Sequence, residues 1–559
     1  MRLKALFMSM AASLALVGCS SEEDIAPGTG NGNNGEPQFL TVSVNATSIL
    51  ARATTLDGDY EEGVGNENSV SKVRFYFFDA NGNAAQVKGE SGDTYYDVEN
   101  MSGTEEDMPN VEKILTATLV IQTPQKDKVP TSIVAVVNPT TTLGKVESIS
   151  NLNKVIADHS STASFIMSSS VYANGTAKME AVNVAGHLYS TAEAAKANPV
   201  IIHVERVLAK ARLTVGLTAA GDNSDVYKTS ADGSLKYGED EIYVKFLGWN
   251  VTATAGTSRL MKEINPSWPV NLFSSTLLWN TADFYRSFWA VNPTEITYNN
   301  GSFNTNNDTK AANAIKAFDA GTAESPKINY TYLQENASDS YNDGTDPVKP
   351  SQVIIAAQLV KKDGFTPIEF AEYAGEKTSI EGLIKKYAAA SGLWKDKSDG
   401  KGKVQISVDD IKLKTATEIG VANQTTAGRY KVYAQLTPTA SGYTWYSSSS
   451  QDATAVNAND ILKGLGGAKV WKSGYTYYYF DIRHLNGSST ETNAKGVKGV
   501  VRNHIYAANI KTLAGLGTPV YDPDEVIYPE KPGDDDTYIA AEIRILSWRL
   551  VKQDINLEW

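Results

Sequence analysis

Alternation of apolar and polar residues is the main pattern along the chain, and it predicts a protein built mainly of β-strands. In residues 39–45 the side chains of Leu40, Val42 and Val44 alternate with mostly polar ones, as in a strand with one buried face. Similar alternation, or β-branched runs between turn residues, predicts further strands at residues 70–78, 114–122, 132–138, 201–216, 241–252, 352–361, 403–408, 429–436, 475–483 and 502–512.

Helical patterns are few and short. Residues 151–158 and 191–197 predict two brief helices, and residues 379–391 predict a longer one because apolar residues recur on one face. The residues of that face are Ile380, Leu383, Ile384 and Tyr387.

A polar run at residues 220–224 interrupts the strands and predicts a domain boundary. We expect an N-terminal β-domain at residues 38–222 and a C-terminal β-domain at residues 223–530. A linker and a terminal strand segment occupy residues 531–559. The apolar positions of this segment begin as Ile539, Ala541, Ile543 and Ile545 and then change phase to Leu546, Trp548 and Leu550. The change predicts a bulge or a bend, and it leaves open whether one strand or two form.

Composition and charge narrow the class of protein. Hydrophobic residues make up 42% of the chain and charged residues 21%, so the chain can bury a core in more than one domain. The net charge of -13 argues against nucleic acid as a partner, because phosphate binding needs a basic surface. The 28 tyrosines and 43 glycines suit a β-rich protein with many turns.

The N-terminus has the pattern of a lipoprotein signal. Arg2 and Lys4 precede a short uncharged run, and residues 16–18 lead as Leu-Val-Gly into Cys19. Because Cys19 is the single cysteine of the chain, a disulfide is excluded and lipidation of its thiol is the expected use. We expect residues 1–18 to be removed, residues 19–37 to form an acidic and Gly/Asn-rich tether, and the lipid to attach the precursor to a membrane.

Motifs for catalysis or metal binding are missing from the sequence. The five histidines are scattered without the spacing of metal ligands, and no nucleophile elbow, phosphate loop or dinucleotide motif occurs. We therefore expect no cofactor, no metal and no enzymatic activity. A glycosidase would need paired carboxylates in a cleft, which sequence alone does not exclude.

Several phrases, taken in order, resemble the fimbrillins of Bacteroidales, and in particular the major stalk subunit of short fimbriae. They include residues 204–210 (Val-Glu-Arg-Val-Leu-Ala-Lys), 285–290 (Tyr-Arg-Ser-Phe-Trp-Ala), 499–506 (Gly-Val-Val-Arg-Asn-His-Ile-Tyr) and 515–520 (Gly-Leu-Gly-Thr-Pro-Val). The serine and acidic run after Cys19 resembles the export tag of surface lipoproteins in the same bacteria.

This resemblance implies two transthyretin-like β-sandwich domains and a lipoprotein precursor that is cut at the cell surface by an arginine-specific, trypsin-like protease. Carried onto this chain, the cut falls between Arg52 and Ala53, and residues 38–52, with Leu40, Val42 and Val44, form the removable strand. The donor strand that replaces it in another copy would come from the terminal segment. Its apolar residues are Ile539, Ile543, Ile545, Leu546, Trp548 and Leu550.

The residues around Arg52 suit such a cut. Arg52 follows Ala51 in a small, polar segment that we expect to be an exposed loop, whereas Arg74 and Arg212 fall within predicted strands. An uncut surface arginine is the other interpretation of the same pattern.

The function predicted from the sequence is that of a fimbrial stalk subunit that polymerises by donor-strand exchange and supports adhesion and biofilm formation. Its partners would be other copies in a head-to-tail filament, accessory fimbrial subunits, the protease and an unknown surface ligand. The alternatives are a non-polymerising, glycan-binding surface lipoprotein and an accessory subunit at the tip or the anchor of the fibre.

Overall fold

The structure is a computed structural model. It describes residues 38–45, 63, 65–88, 93–99, 101–104, 114–123, 129–157, 165–174, 177–221, 223–229, 235–252, 254–255, 257–264, 290–291, 298–299, 316–317, 321–322, 325–326, 329–337, 351–422, 428–482, 484, 499–523, 538–544 and 549–558. The fold is mainly β, as predicted. Within these ranges the helices are α1 (Ile149–Asn153), α2 (Ala192–Ala197), α3 (Ile380–Ser391) and α4 (Ala458–Gly464), and 3-10 turns lie at Gly65–Asn68, Val408–Asp410, Ala440–Gly442 and Lys472–Gly474.

The strands are numbered in chain order. Those before residue 207 are β1 (Gln38–Asn45), β2 (Lys72–Phe78), β3 (Tyr95–Glu99), β4 (Ser102–Thr104), β5 (Ile114–Ile121), β6 (Ser132–Val137), β7 (Ile156–Ala157), β8 (Met167–Ser169), β9 (Tyr172–Asn174), β10 (Ala177–Met179), β11 (Val182–Asn183) and β12 (Val200–Arg206). The next group is β13 (Leu208–Val215), β14 (Ala219–Ala220), β15 (Asn223–Lys228), β16 (Lys236–Tyr237), β17 (Asp240–Thr252), β18 (Thr254–Ala255), β19 (Ser258–Arg259), β20 (Tyr298–Asn299), β21 (Lys316–Ala317), β22 (Gly321–Thr322), β23 (Ser325–Pro326), β24 (Asn329–Gln334), β25 (Asn336–Ala337) and β26 (Gln352–Lys361). The last group is β27 (Phe370–Tyr373), β28 (Glu376–Thr378), β29 (Trp394–Asp396), β30 (Lys403–Gln405), β31 (Ile411–Thr415), β32 (Val432–Leu436), β33 (Trp445–Tyr446), β34 (Ala455–Val456), β35 (Lys469–Trp471), β36 (Tyr475–Asp481), β37 (Gly499–Val500), β38 (His504–Leu513), β39 (Thr518–Pro519), β40 (Tyr538–Arg544) and β41 (Arg549–Glu558).

A nine-stranded sheet forms the N-terminal part of the molecule. Its strands follow the order β3-β2-β6-β8-β12-β1-β5-β4, and β11 adds to β6. Both faces of β2 are buried, since Phe75 and Phe77 pack into one hydrophobic core while Tyr76 and Phe78 pack into another. Cover on both sides explains why this strand is apolar at nearly every position instead of alternating.

Two sheets enclose the main core of the C-terminal part. One has the order β24-β13-β38-β41-β40, and the other has the order β14-β15-β17-β26-β36-β39, with β16 and β21 added to β17. Side chains from β13 and β38 meet those from β17, β26 and β36 in a single core that contains Trp249. The burial of Trp249 therefore reflects packing between sheets.

A smaller unit with its own core lies between β26 and β36. Helix α3 begins after Ser379, whose hydroxyl accepts the N–H of Gly382 at 3.0 Å, and ends at Gly392, which has a positive φ of 60°. Leu383 and Tyr387 of α3 are buried against β31, β32 and α4. The face that the sequence predicted for this helix is thus the one that packs.

The chain passes from the N-terminal sheet to a C-terminal sheet at Val207. Residues 201–216, which the sequence predicts as one long strand or a bent pair, form two strands. Strand β12 belongs to the N-terminal sheet and β13 to a C-terminal one, with Val207 between them. The domain boundary expected at residue 222 stays a prediction, and strands β14 and β15 on either side of it pair with each other. Apolar residues continue through Val207, which is itself fully buried, so composition gives no sign of the crossing.

Two further predicted strands begin or end at different residues. The strand predicted at 403–408 ends at Gln405, because Asp410 accepts the backbone N–H and the hydroxyl of Ser407, both at 2.9 Å, and folds the next residues into a 3-10 turn. The strand predicted at 429–436 begins at Val432, since a turn closed by the Lys431 N–H and the Gly428 carbonyl precedes it. Side-chain capping of this kind competes with the strand ladder.

Buried charges join the N-terminal and C-terminal parts. Arg502, just before β38, donates to Glu335 at 2.9 Å and to the carbonyl oxygens of Leu260 and Arg259, each at 2.7 Å. Arg502 is fully buried, and Ser168 of the N-terminal sheet lies 3.5 Å from its guanidinium. Burying a charge away from water costs free energy unless partners compensate it. The junction is therefore stable only while these partners stay in place.

We predict that Glu335→Ala destabilises the protein by about 3–5 kcal/mol, because it leaves the buried Arg502 guanidinium without its carboxylate. Chemical denaturation followed by tryptophan fluorescence measures the change. Glu381→Ala is the matched control, since Glu381 is 72% exposed in its ion pair with Lys385 and its loss should change the stability far less. Equal losses in the two variants would contradict the importance of the junction.

Candidate polymerisation site

Strand β1 has one row of side chains in the N-terminal core. Leu40, Val42 and Val44 are each fully buried and pack with residues of β2, β5, β6 and β12. Because side chains alternate across a strand, Thr41 and Ser43 lie on the opposite face, where they are 1% and 9% exposed. Both faces of this strand are therefore covered.

Both edges of β1 are hydrogen-bonded as well. Along its full length β1 runs antiparallel to β5, with Gln38 opposite Ile121 and Asn45 opposite Ile114. On its other edge it runs parallel to β12, from Val42 opposite Val200 to Asn45 opposite His203. A strand close to the N-terminus of the chain thus lies in the interior of its sheet.

The loss of β1 would be expensive for the N-terminal sheet. Burying a Val or Leu side chain is worth roughly 1.5 to 3 kcal/mol, so Leu40, Val42 and Val44 together contribute on the order of 5 to 9 kcal/mol before ordering costs. Their removal would also leave β5 and β12 with unpaired backbone groups facing an apolar groove. Such a groove is a template for another strand of matching pattern.

The 3-10 turn at Gly65–Asn68 is held firmly by side-chain hydrogen bonds. Glu67 is 1% exposed; its carboxylate accepts from Lys210 Nζ at 2.8 Å and from the Tyr332 hydroxyl, and its carbonyl accepts from Arg206 Nε at 2.9 Å. Arg206 also donates to Asn68 Oδ1 at 2.6 Å. These bonds fix the turn to β12, β13 and β24 independently of β1.

Arg74 lies in β2 and is unavailable to a protease. It is 9% exposed, and its guanidinium donates to Asp97 at 2.6 and 2.7 Å and to the Leu143 carbonyl. The hydrogen bond from Arg74 holds the pKa of the Asp97 carboxyl below its ordinary value. Arg212 likewise lies within β13. Cys19, Arg52 and Ala53 lie outside the described residues.

The terminal segment forms a hairpin of two strands. Strand β41 runs parallel to β38, with Leu550 opposite Ile505, and β40 runs antiparallel to β41 at the edge of the sheet. Ile539 and Ile543 belong to β40. Ile545, Leu546 and Trp548 lie outside the described residues. The removable and donor strands predicted from the sequence therefore lie in different sheets of one chain.

Sequence reasoning missed the polar residues that brace this site. Glu67, Arg206 and Arg502 are all at most 1% exposed. Arg206 and Arg502 stand beside valines in the sequence, whereas Glu67 lies between two asparagines. Two of them fall within phrases that carry the family resemblance, and a charge inside a buried strand is the signal that could have found them. The hydrogen-bond partners of these residues come from distant parts of the chain. The pairs could therefore not be predicted from the sequence.

Other classes of site are not formed by the residues that the structure describes. None of their acidic, histidine or cysteine side chains gather in threes that could ligate a metal ion. Within the same part of the chain, no helix combines the length and the apolar character needed to cross a membrane.

Comparison with known proteins gives one family match. Residues 469–554 match the family described as "Major fimbrial subunit protein type IV, Fimbrillin, C-terminal". The matched range begins at β35 and includes β36, β38 and β40 and part of β41. No curated protein matches the chain.

Solved structures give only weak likenesses. A candidate cell adhesion protein from Bacteroides eggerthii is 14% identical, with 62% of this chain and 79% of that chain covered and a TM-score of 0.31. The tip fimbrial protein Mfa3 from Porphyromonas gingivalis is 9% identical, with 61% and 85% covered and a TM-score of 0.28. A fimbrial assembly protein from Parabacteroides distasonis is 11% identical, with 61% and 88% covered and a TM-score of 0.26. Scores this low support no conclusion about fold or function.

The family match links residues 469–554 to the major subunits of fimbriae. For these residues it confirms the resemblance to the fimbrillins that the sequence indicated. The matched family is one of fimbrial structural subunits.

We predict that Val42→Ala lowers the free energy of unfolding by about 2–3 kcal/mol, because it empties part of a closed core pocket. Val120→Ala deletes the same two methyl groups from a neighbouring strand at a position that is 40% exposed, and it should cost well below 1 kcal/mol. Denaturant titration of both variants makes the comparison. Similar costs would show that β1 contributes little to the core.

Proposed function

We propose that the chain is the stalk subunit of a surface fimbria, which polymerises when a protease frees β1 and the terminal segment of another copy replaces it. The observation that carries the proposal is the interior position of β1. A strand near the N-terminus, paired on both edges and buried on both faces, leaves a complete strand-shaped groove when it departs.

The cut would fall between Arg52 and Ala53, on the chain that joins β1 to the turn at Glu67. Cleavage there leaves β1 attached to its sheet by non-covalent contacts alone. The Glu67 anchor to Lys210 and Arg206 supports the proposal, since it holds the new N-terminal part of the subunit in place while β1 leaves. The lipid on Cys19 would depart with the removed piece and release the subunit from the outer membrane.

The incoming strand would come from residues 538–559 of a second copy. In the isolated chain this segment is the β40–β41 hairpin at one end of a C-terminal sheet, so its transfer leaves the pairing of β13 with β38 intact. Five or six buried Ile, Leu or Val side chains would give on the order of 10 kcal/mol before ordering costs. That is sufficient for a durable contact between subunits.

Donor and acceptor lie on different parts of the subunit, so the contact is head-to-tail. A heterologous contact that does not close on itself produces a filament. Accessory subunits would share the same groove or the same donor. A fibre of this kind would carry surfaces for adhesion and biofilm formation away from the cell.

Two complementary variants test the proposal. The chain without its signal and Cys19, treated with limiting trypsin, should be cut after Arg52 and form filaments visible by electron microscopy. The Arg52→Ala chain should stay uncut at this site, so it can donate its terminal strand to another copy but cannot accept one. A chain that is cut after Arg52 and lacks residues 538–559 should accept a donor strand but has none to donate. Mixed together, these two should stop at a one-to-one dimer detectable by native mass spectrometry.

Arg52→Lys serves as the control for protease specificity, because trypsin still cuts it and an arginine-specific protease does not. A chain cut after Arg52 that remains a monomer with intact terminal residues would refute assembly by strand exchange. That outcome would favour a surface lipoprotein that binds glycans without polymerising.

A further inference from the structure

The segment between β11 and β12, residues 185–199, crosses the outer face of β1, and we name it the strap. It contains α2, which begins after Thr191, whose hydroxyl accepts the N–H of Ala194 at 3.2 Å. The two ends of the strap meet where His187 Nδ1 lies 3.5 Å from the carbonyl oxygen of Asn198. The strap is thus a small closed unit attached to the sheet at both ends.

The strap pairs directly with the first half of β1. The backbone N–H of Phe39 donates to Tyr189 at 2.6 Å, and the N–H of Tyr189 donates back to Phe39 at 2.9 Å. From Val42 onward β12 takes over the same edge. The strap therefore pairs with β1 on the same edge as β12, next to the first residues of β1.

Helix α2 also covers β1 from above. It packs against both β1 and β5, and its Ala195 is fully buried. Thr41 points to this side, where its hydroxyl lies 2.9 Å from that of Thr118 in β5 and only 1% of the residue is exposed. Strand β1 thus lies in a slot, with the core as its floor, β5 and β12 as its walls and the strap as its roof.

A strand in such a slot has no free side by which to leave. Movement along its own axis would drag Leu40, Val42 and Val44 out of separate pockets at once. The roof is the weakest boundary, because α2 has six residues, too few to be stable without its contacts, and most of the strap is exposed. The easiest path for β1 is therefore through an opened strap.

We propose that the strap is a gate, and that its opening controls how fast β1 leaves after proteolysis and how fast a donor strand enters. This inference rests on the proposed strand exchange and adds its regulation. Cleavage after Arg52 is then necessary for the release of β1, but it does not determine how fast β1 leaves.

The test measures release directly. A chain without its signal and Cys19 contains no cysteine, so Gly30→Cys in the tether carries a single fluorescent label that departs with β1. After the cut at Arg52, an excess of unlabelled peptide with the sequence of residues 38–45 fills vacated slots. Loss of label from the protein, followed by fluorescence anisotropy, gives the release rate.

Thr191→Ala with Ala195→Gly loosens α2 by removing its cap and adding a helical glycine, and should speed release roughly tenfold. Ser148→Ala with Ser150→Gly makes comparable changes in α1, where the Ser148 hydroxyl accepts the Asn151 N–H, and should leave the rate unchanged. Thr191→Ala alone, a milder change, should give an intermediate rate. Circular dichroism before cleavage checks that each variant is folded.

The outcomes separate the gate from the exchange itself. Faster release in the strap variants alone, with filaments formed sooner, supports the gate. Equal rates in all variants, with filaments still formed, overturn the gate and leave strand exchange standing. If the label never leaves any cut chain and no filament forms, the proposed function fails and the gate fails with it.

Discussion

Satisfaction of backbone hydrogen bonds on both edges of β1 is the constraint on which the N-terminal sheet depends. A buried N–H or C=O without a partner costs as much as a lost hydrogen bond, so β5 and β12 need a strand between them. That need is met equally well by a strand of the same chain or of another. The sheet thus needs a strand at this position, but its backbone hydrogen bonds do not require the particular sequence of β1.

The buried ion pairs answer a different requirement, which is to hold the N-terminal and C-terminal parts of the chain together. Arg502 with Glu335 ties the C-terminal part to the N-terminal sheet, and Lys262 lies 3.2 Å from Glu205 in the same region. Burial lowers the pKa of Lys262, against the effect of its carboxylate partners. Buried charges tolerate little displacement, because the attraction that offsets the cost of their burial is lost when the oppositely charged partner moves away. The junction is therefore specific in its geometry as well as costly to break.

Much of the fold could be predicted from local pattern, and the limits of that prediction have physical causes. Helix α3 and strand β26 were predicted within a residue of their actual bounds, since a heptad-like face and a β-branched run are properties of neighbouring residues. The inward row of β1 was also readable from alternation. The crossing at Val207 was not, because both sheets bury the same kind of side chain. Partners such as Glu67 and Lys210, which are far apart in sequence, were equally out of reach.

The mixed pairing of β1 has a consequence for the fibre proposed above. Parallel and antiparallel ladders space their hydrogen bonds differently, and β1 has a parallel neighbour on one edge and an antiparallel neighbour on the other. A strand inserted in reverse would have to exchange both patterns at once, so the groove distinguishes the direction of the chain that enters it. Every subunit added through such a groove takes the same orientation as the last. A fibre built this way has two unlike ends, and its growing end can be told from its base by chemistry alone.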